Sequence, residues 1–246
     1  LAKYFIFIIE YEGTNYSGWQ YQPREKTIQG EIESSMNEIF KGQQIRIHGS
    51  GRTDAGVHAI GQVVHFTLNT TIKPQNIMHA VNTHLRDKSI YIKDCKIVDK
   101  NFHARFSAKK REYYYKVSNS FSVFTKNHVW YVKTKINFDI LNECAKFIKG
   151  KHDFSNFCKI NPNNKNNVCI VYESYWVKKK NIYIYYIVAN RFLHHMVRFL
   201  TGSMIEVSRG RYSTNNFYRA LNDINSPLKI LSAPPQGLYL KKVFYE

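Results

Sequence analysis

The sequence has no long hydrophobic segment. The apolar run nearest its start lies within Leu1–Glu10, spans six residues and ends at an acid. A membrane-spanning helix needs about 20 apolar residues, and a secretory signal needs a basic start, a longer apolar stretch and a cleavage site. We therefore expect no membrane association and a cytoplasmic location.

Cysteine is scarce and shows no metal-binding spacing. The four cysteines form no C-x-x-C pair, and none has a histidine at zinc-finger separation. The G-x-x-x-x-G-K-[ST] motif of phosphate-binding loops is also absent. We expect reduced thiols, no metal site and no cofactor.

Acidic residues are few. The chain has 18 Asp and Glu against 36 Lys and Arg, a formal net charge of +18. This excess predicts a polyanionic partner such as nucleic acid, although a compositionally biased genome would also enrich lysine. Residues 1–60 carry a net charge of −1, whereas residues 61–120 and 121–180 carry +7 each. The later segments would therefore supply the field that holds phosphates.

The chain of 246 residues can form one large domain or two small ones. We divide it near Val117–Thr125 into an N-terminal α+β subdomain (residues 1–117) and a C-terminal α+β subdomain (residues 118–246). In the first, strand, helix, strand, strand, helix, strand follow in an order that resembles a split βαβ unit. These predicted elements are Lys3–Glu10, Ile28–Phe40, Gln44–His48, Gln62–Leu68, Pro74–Leu85 and Ser89–Lys96.

The second half also mixes helices and strands. We predict a helix over Arg191–Val207 with one apolar face and an opposite cationic rim that includes Arg191, His194, His195 and Arg198. The two histidines diverge by about 100° on a helix, which argues against a shared metal ion. The other predicted elements are Phe138–Lys149, Val168–Val177, Ile182–Ala189, Asn215–Leu221 and Gly237–Phe244.

One loop concentrates glycine and a single acid. Gly49–His58 has three glycines, and Asp54 is the only carboxylate between Ile39 and Arg86. Glycines let a ligand approach the main chain closely, so Asp54 beside Arg52 is a candidate catalytic group. Taken alone, the loop also fits a surface turn in which Asp54 caps the backbone.

Basic and aromatic residues alternate in Phe102–Tyr115. Cations for phosphate beside an aromatic ring for a base are typical of an RNA-reading surface, and a solvated charge run before an ordinary strand is the alternative. Earlier aromatic residues, Tyr16, Trp19 and Tyr21, either stack on bases or hold a loop to the core. The cations of the basic segment are Arg105, Lys109, Lys110 and Arg111.

Six motifs occur in the order typical of the tRNA pseudouridine synthase A (TruA) family, which the chain resembles over nearly its whole length. The R-T-D-A-G-V-H-A block is highly specific to that family. The motifs are Y-E-G-T-N-Y-S-G-W-Q-Y-Q (Tyr11–Gln22), G-S-G-R-T-D-A-G-V-H-A (Gly49–Ala59), F-H-A-R-F-S-A-K-K-R-E-Y-Y-Y (Phe102–Tyr115), G-K-H-D-F-S-N-F (Gly150–Phe157), F-L-H-H-M-V-R (Phe192–Arg198) and A-P-P-Q-G-L-Y-L (Ala233–Leu240).

The resemblance implies an isomerase that converts uridine to pseudouridine in the anticodon stem-loop of tRNA, at positions 38, 39 and 40. It implies an α+β fold of two similar subdomains, with mixed or antiparallel sheets joined across a central basic cleft and helices packed on one side. It also implies a homodimer that holds tRNA across both subunits.

The resemblance also implies roles for single residues. Asp54 matches the catalytic aspartate, Arg198 its arginine partner and Tyr113 the tyrosine that stacks on the target base. Arg52 matches a residue that helps to extrude the nucleotide. We expect the remaining substrate contacts from Arg105, Lys109, Lys110, Arg111, His194 and His195.

Two positions depart from the family pattern. Glu12 stands where Asp is common, and Glu112 stands where a second arginine is frequent, which would weaken phosphate contact unless Lys109 or Lys110 compensates. Two other functions also fit parts of the sequence: a noncatalytic RNA-binding protein, and a metal-dependent nuclease that uses Asp54 and His58. An acid placed beside phosphate has no use in binding alone, which favours the enzyme.

Overall fold

The computed structural model describes residues 2–159, 166–223 and 228–246, and the chain forms two compact units. The first unit is the chain up to Lys109 together with Leu240–Glu246, and the second is Lys110–Tyr239. The division thus precedes the strand that the sequence analysis assigned to the first half. The last strand crosses from the second unit back into the first.

The first unit contains a βαββαβ arrangement. Its strands lie in the order β4-β1-β3-β2, and β1 is antiparallel to both β3 and β4. This is the split βαβ topology that the sequence predicts. The elements are β1 (Ala2–Tyr11), α1 (Ile28–Ile39), β2 (His48–Gly49), β3 (His58–Asn69), α2 (Pro74–Leu85) and β4 (Ile90–Val98).

One face of this sheet forms the core of the first unit. Alternate residues of β1, among them Phe5 and Phe7, are fully buried, because successive side chains of a strand point to opposite faces. Helix α1 buries Ile28, Ile32 and Met36, which repeat every four residues. As predicted, it begins after Thr27, whose side chain accepts a hydrogen bond from the Gly30 N–H.

The predicted strand Gln44–His48 is mostly wrong, since only His48–Gly49 pairs as a strand. The preceding backbone N–H groups bond to side chains of α1 instead of to a neighbouring strand. Ile45 N donates to Asn37 Oδ1 at 2.8 Å, and Ile47 N donates to Glu33 Oε1 at 2.9 Å. Side-chain acceptors on a distant helix leave no periodic signal in the sequence of the segment itself.

The second unit has an antiparallel sheet of order β5-β9-β8-β7, with the short β6 parallel to β5. Helices α3 and α4 pack against β8 and β5. Among the described residues, no helix is long and apolar enough to cross a membrane. The elements are β5 (Lys110–Ser118), β6 (Trp130–Tyr131), α3 (Phe138–Ile148), β7 (Gly150–Asp153), β8 (Val168–Lys179), β9 (Ile182–Ala189), α4 (Met196–Ser208) and α5 (Thr214–Asn222). The last strand, β10 (Leu238–Phe244), begins in this unit and ends in the first.

The predicted helix Arg191–Val207 is shorter, because α4 begins at Met196. His195 immediately before it has φ 64°, a left-handed conformation that no helix continues through. The predicted cationic rim is therefore wrong as a helix face, since Arg191, His194 and His195 lie in the preceding loop. From Leu200 to Ser208 every residue of the helix is buried, so α4 is a core helix.

Glu33 of α1 links the helix to the segment that leads into the Gly49–His58 loop. It is 4% exposed, and besides Ile47 N its carboxylate accepts hydrogen bonds from the Gln29 amide at 2.9 Å and from Arg46 Nη1 at 3.0 Å. A buried carboxylate with three donors stabilises this connection, and its loss leaves buried donors unpaired.

We predict that Glu33→Ala lowers the free energy of unfolding by about 2–4 kcal/mol, because two buried donors lose their acceptor. Glu33→Gln keeps one acceptor oxygen and should cost less. Urea unfolding followed by circular dichroism measures both values. Glu38→Ala, on the exposed side of the same helix, is the control and should change stability by about 0.5 kcal/mol or less. Equal losses at positions 33 and 38 would contradict this role of Glu33.

Candidate active site

The loop that carries Asp54 joins β2 to β3 in the first unit. Its first turn is fixed by contacts between the Ser50–Gly51 segment and β3. Ser50 N donates to the Val63 carbonyl at 2.8 Å, Ser50 Oγ lies 2.6 Å from Gln62 Oε1, and Gln62 Nε2 donates to the Gly51 carbonyl at 2.8 Å. Both Ser50 and Gln62 are buried, so the loop leaves the sheet in a defined direction.

The segment Tyr11–Trp19 packs along the middle of this loop. Trp19 N donates to the Thr53 carbonyl at 3.0 Å, and the Tyr11 hydroxyl lies 2.8 Å from Thr53 Oγ1. Gly18 has φ +96°, and a Cβ at this position would lie 2.9 Å from the Thr53 carbonyl oxygen. The residue before Asp54 is therefore held by backbone contacts that only glycine permits.

The far end of the loop is anchored by His58. This residue is 1% exposed, and its Nδ1 accepts a hydrogen bond from Gly13 N at 3.0 Å, with Glu12 Oε1 3.6 Å away. Val57 N also donates to the Asp54 carbonyl at 3.1 Å. His58 thus holds the loop to the Tyr11–Trp19 segment.

These contacts leave the two candidate side chains of the loop accessible. Asp54 is partly exposed and Arg52 is exposed, whereas Thr53 and Val57 between and beside them are buried. The sequence left two interpretations of Tyr16, Trp19 and Tyr21, stacking on bases or holding a loop to the core. Tyr16 and Trp19 are 4% and 2% exposed and belong to the core. Tyr21 is 48% exposed.

Arg105 and Lys109 also lie in the first unit, and both are exposed. The turn before them is held by His103, whose Nδ1 accepts from Arg105 N at 3.1 Å. His103, His65 and His48 form a cluster beside a groove of about 400 Å³. Burial, together with the neighbouring imidazoles, lowers the pKa of His65 to about 4, so this ring is neutral at pH 7.

The second unit contains Tyr113 on β5. This tyrosine is 7% exposed, and its ring meets Phe192 edge to face at 4.8 Å. Arg111 Nη1 donates to the Asn190 carbonyl at 3.2 Å, and the Lys110 ammonium lies 4.9 Å from the centre of the Tyr172 ring. Tyr113 therefore has a fixed ring orientation, and the side chains of Lys110 and Arg111 lie against the same sheet.

Arg198 lies in the first turn of α4 and is held by the Ala233–Leu240 motif. Its Nε donates to the Ala233 carbonyl at 2.8 Å, while Ala233 N donates back to the Arg198 carbonyl at 3.0 Å. His195 Nε2 lies 3.3 Å from Arg198 Nη1. His194 next to it is exposed.

Tyr115 extends this support. Its hydroxyl donates to the Pro234 carbonyl at 2.6 Å, and burial raises its pKa above the ordinary value, an effect that the nearby Arg198 partly opposes. The ring therefore stays protonated and keeps its donor. Sequence reasoning did not assign these roles to Tyr115 and Ala233, although each of them lies in one of the six motifs.

The predicted residues thus fall into two groups. In the first unit the structure places Asp54 and Arg52 on one braced loop, with Arg105 and Lys109 on the basic segment. In the second unit it joins Arg198 and His195 in direct contact and places Lys110, Arg111 and Tyr113 on one strand.

Comparison with known proteins assigns the chain to a family. A family model described as tRNA pseudouridine synthase matches residues 7–107 and 144–246. A tRNA pseudouridine synthase A from Geobacillus sp. (strain WCH70) is 37% identical and covers 100% of both chains. A protein of the same name from Dictyoglomus turgidum is 42% identical over 96% of this chain and 97% of its own. One from Dictyoglomus thermophilum is 40% identical over 96% and 97%.

These matches define the chain as a pseudouridine synthase, an isomerase that acts on uridine in tRNA. Within that class it belongs to the tRNA pseudouridine synthase A family. The identification made from the six sequence motifs is confirmed.

We predict that Gly18→Ala slows pseudouridine formation about 10- to 100-fold, because a Cβ pressed against the Thr53 carbonyl displaces the Asp54 loop. Single-turnover rates at saturating enzyme measure the effect. The control is Gly42→Ala, since Gly42 has a similar φ of +85° but no atom within 4 Å of the added Cβ. Both variants carry similar backbone strain, so equal rates in the two would exclude the loop contact as the cause.

Proposed function

We propose that Asp54 is the catalytic carboxylate that isomerises uridines 38, 39 and 40 in the anticodon stem-loop of tRNA. The observation that carries this proposal is the loop fixed by its contacts with Tyr11–Trp19, which displays one partly exposed carboxylate directly after the buried Thr53. The family of the chain and its motif around Asp54 support the same assignment. A preorganised acid of this kind needs no rearrangement when substrate binds.

The reaction fits a single carboxylate. Uridine and pseudouridine have the same atoms, so the enzyme breaks the N1–C1′ bond, turns the uracil and forms a C5–C1′ bond. Asp54 serves this chemistry either as nucleophile at C1′ or as base at C2′. Hydrolysis of a glycosidic bond normally uses two carboxylates, and the loop provides one.

Arg198 and Tyr113 serve the same uridine in this proposal. A guanidinium that is oriented through the bond from its Nε to the Ala233 carbonyl would hold the Asp54 carboxylate by a charge-assisted hydrogen bond. Tyr113 supplies a ring of fixed orientation for stacking on the target base, worth about 1–3 kcal/mol.

The remaining cations bind the RNA. A base in a stem must be flipped out at a cost of a few kcal/mol, and the exposed Arg52 fills the vacated space or holds a phosphate. The other cations and histidines contact the backbone of the tRNA. They are Arg105, Lys109, Lys110, Arg111, His194 and His195. The functional form is a homodimer in the cytoplasm that holds tRNA across both subunits.

We predict that the parent chain releases tritium from tRNA transcribed with 5-tritiated uridine, in the presence of EDTA, and that Asp54→Asn releases none. The substitution keeps size and removes the charge that the chemistry needs. Intact RNA length in the same reactions excludes a nuclease. Tight tRNA binding by both proteins without release from either would favour the noncatalytic RNA-binding function.

We predict a graded effect at Tyr113. Tyr113→Phe keeps the stacking ring and should retain tRNA affinity, whereas Tyr113→Ala should weaken it by about 1–3 kcal/mol. Filter binding and single-turnover rates separate affinity from chemistry. If both variants lose affinity equally, the hydroxyl rather than the ring is the important group.

A further inference from the structure

A short turn in the first unit presents an aromatic side chain to solvent. Phe106 is 76% exposed, yet the main chain around it is fixed. His103 Nδ1 accepts hydrogen bonds from Arg105 N at 3.1 Å and from Phe106 N at 3.4 Å. Ser107 closes the turn, since its N–H donates to the His103 carbonyl at 2.9 Å and its Oγ accepts from His103 N at 3.0 Å. We call His103–Ser107 the histidine turn.

The histidine turn is attached to the rest of the first unit. Ala104 N donates to His65 Nδ1 of β3 at 3.1 Å, and the Tyr245 hydroxyl donates to the Ala104 carbonyl at 2.9 Å. Ala104 is fully buried. The centre of the His103 ring lies 4.4 Å from those of both the His65 and the Phe106 rings. These ring contacts connect Phe106 to the sheet.

The histidines that hold this turn carry little charge at pH 7. Burial and the neighbouring imidazoles of His103 and His48 lower the pKa of His65 to about 4. Burial and the nearby His48 also lower the pKa of His103 from its ordinary value of about 6.5. His103 Nδ1 therefore keeps the lone pair that accepts from Arg105 and Phe106. Positive charge beside the turn must come from lysine and arginine instead.

A groove of about 400 Å³ lies beside the histidine turn, and its lining is basic. Arg46 and Lys100 line it, and both are exposed. None of the described residues that line the groove is acidic. Glu33 accepts a hydrogen bond from Arg46 Nη1 at 3.0 Å and offsets part of its charge, so Lys100 provides the larger share of the positive charge. Such a lining attracts a phosphate.

The exposed ring and the basic groove together match one unpaired nucleotide. Bases outside a helix stack on aromatic side chains and on arginine, while their phosphates bind cations. The Arg105 guanidinium carbon lies 5.6 Å from the Phe106 ring centre, so a base on this ring would lie beside a second stacking group. His103 lines the groove and contacts Phe106, which joins the ring and the groove into one surface.

We propose that Phe106 and the adjoining groove bind an unpaired nucleotide of the substrate tRNA other than the target uridine. Its base stacks on Phe106 and its phosphate lies beside Lys100. This inference rests on the RNA substrate of the proposed function and adds a second base-stacking residue besides Tyr113. A ring that stays in solvent buries little apolar area and so adds little to stability. A structural role therefore does not explain why the turn holds Phe106 outward.

Filter binding of a tRNA transcript tests the stacking contact. Phe106→Ala should weaken tRNA binding about 5- to 100-fold, as expected for the loss of one base–aromatic stack, whereas Phe106→Trp should retain the affinity of the parent. A blunt-ended RNA duplex offers no unpaired base, so Phe106→Ala should bind it as the parent does. The control is Tyr91→Ala, at a tyrosine that is 52% exposed and in register with Glu10, and it should bind tRNA normally. Circular dichroism confirms folding.

Fluorescence and salt dependence separate the two halves of the site. The indole introduced by Phe106→Trp should lose fluorescence when tRNA binds, measured against the parent, because a stacked base quenches it. Lys100→Ala should reduce the slope of log Kobs against log salt concentration by about 0.7 to 0.9, the share of one phosphate. Phe106→Ala should leave that slope unchanged, since the ring carries no charge.

Three results would overturn the proposal. They are unchanged tRNA affinity in Phe106→Ala, an equal loss of affinity for tRNA and for the duplex, and an unchanged salt slope in Lys100→Ala. Tritium release by the parent is measured separately. Binding that depends on Phe106 without any release would support this site and reject the proposed chemistry, and release without an effect of Phe106→Ala would do the reverse.

Discussion

The hydrogen bond between Trp19 N and the Thr53 carbonyl is the contact on which the Asp54 loop depends. It exists because Gly18 lets two backbones meet at a distance that no Cβ permits. Buried backbone groups must be paired, and here a segment more than thirty residues earlier in the chain provides the pairing. The carboxylate is therefore oriented by main-chain contacts, which move less than side chains do.

Sequence periodicity was sufficient for most of this fold because most elements pack one face on a sheet. It placed α1 and α2 and the long strands of both units close to their observed limits. Periodicity failed for segments that do not pack one face on a sheet. The backbone N–H groups of Ile45 and Ile47 bond to side chains of α1, so the alternation of apolar residues in their segment wrongly indicated a strand. Helix α4 is buried on all sides from Leu200 to Ser208, so its sequence does not show one apolar and one polar face.

The candidate site shows the same limit. Asp54 could be proposed because it is an isolated acid among glycines, and Arg198 because it stands in a specific motif. The groups that hold them could not be found this way. Tyr11 reaches Thr53 across 42 positions and Ala233 reaches Arg198 across 35, and such pairs become neighbours only through the fold. Local composition likewise left two interpretations of Trp19, and burial selects the structural one.

The charge of the chain links its two proposed associations. At +18, a dimer is opposed by repulsion between its copies, and a bound tRNA cancels much of that charge. If tRNA spans both subunits, its binding must favour the dimer, and by linkage the dimer must bind tRNA more tightly than the monomer. Salt should therefore weaken tRNA binding while it relieves the repulsion between free copies.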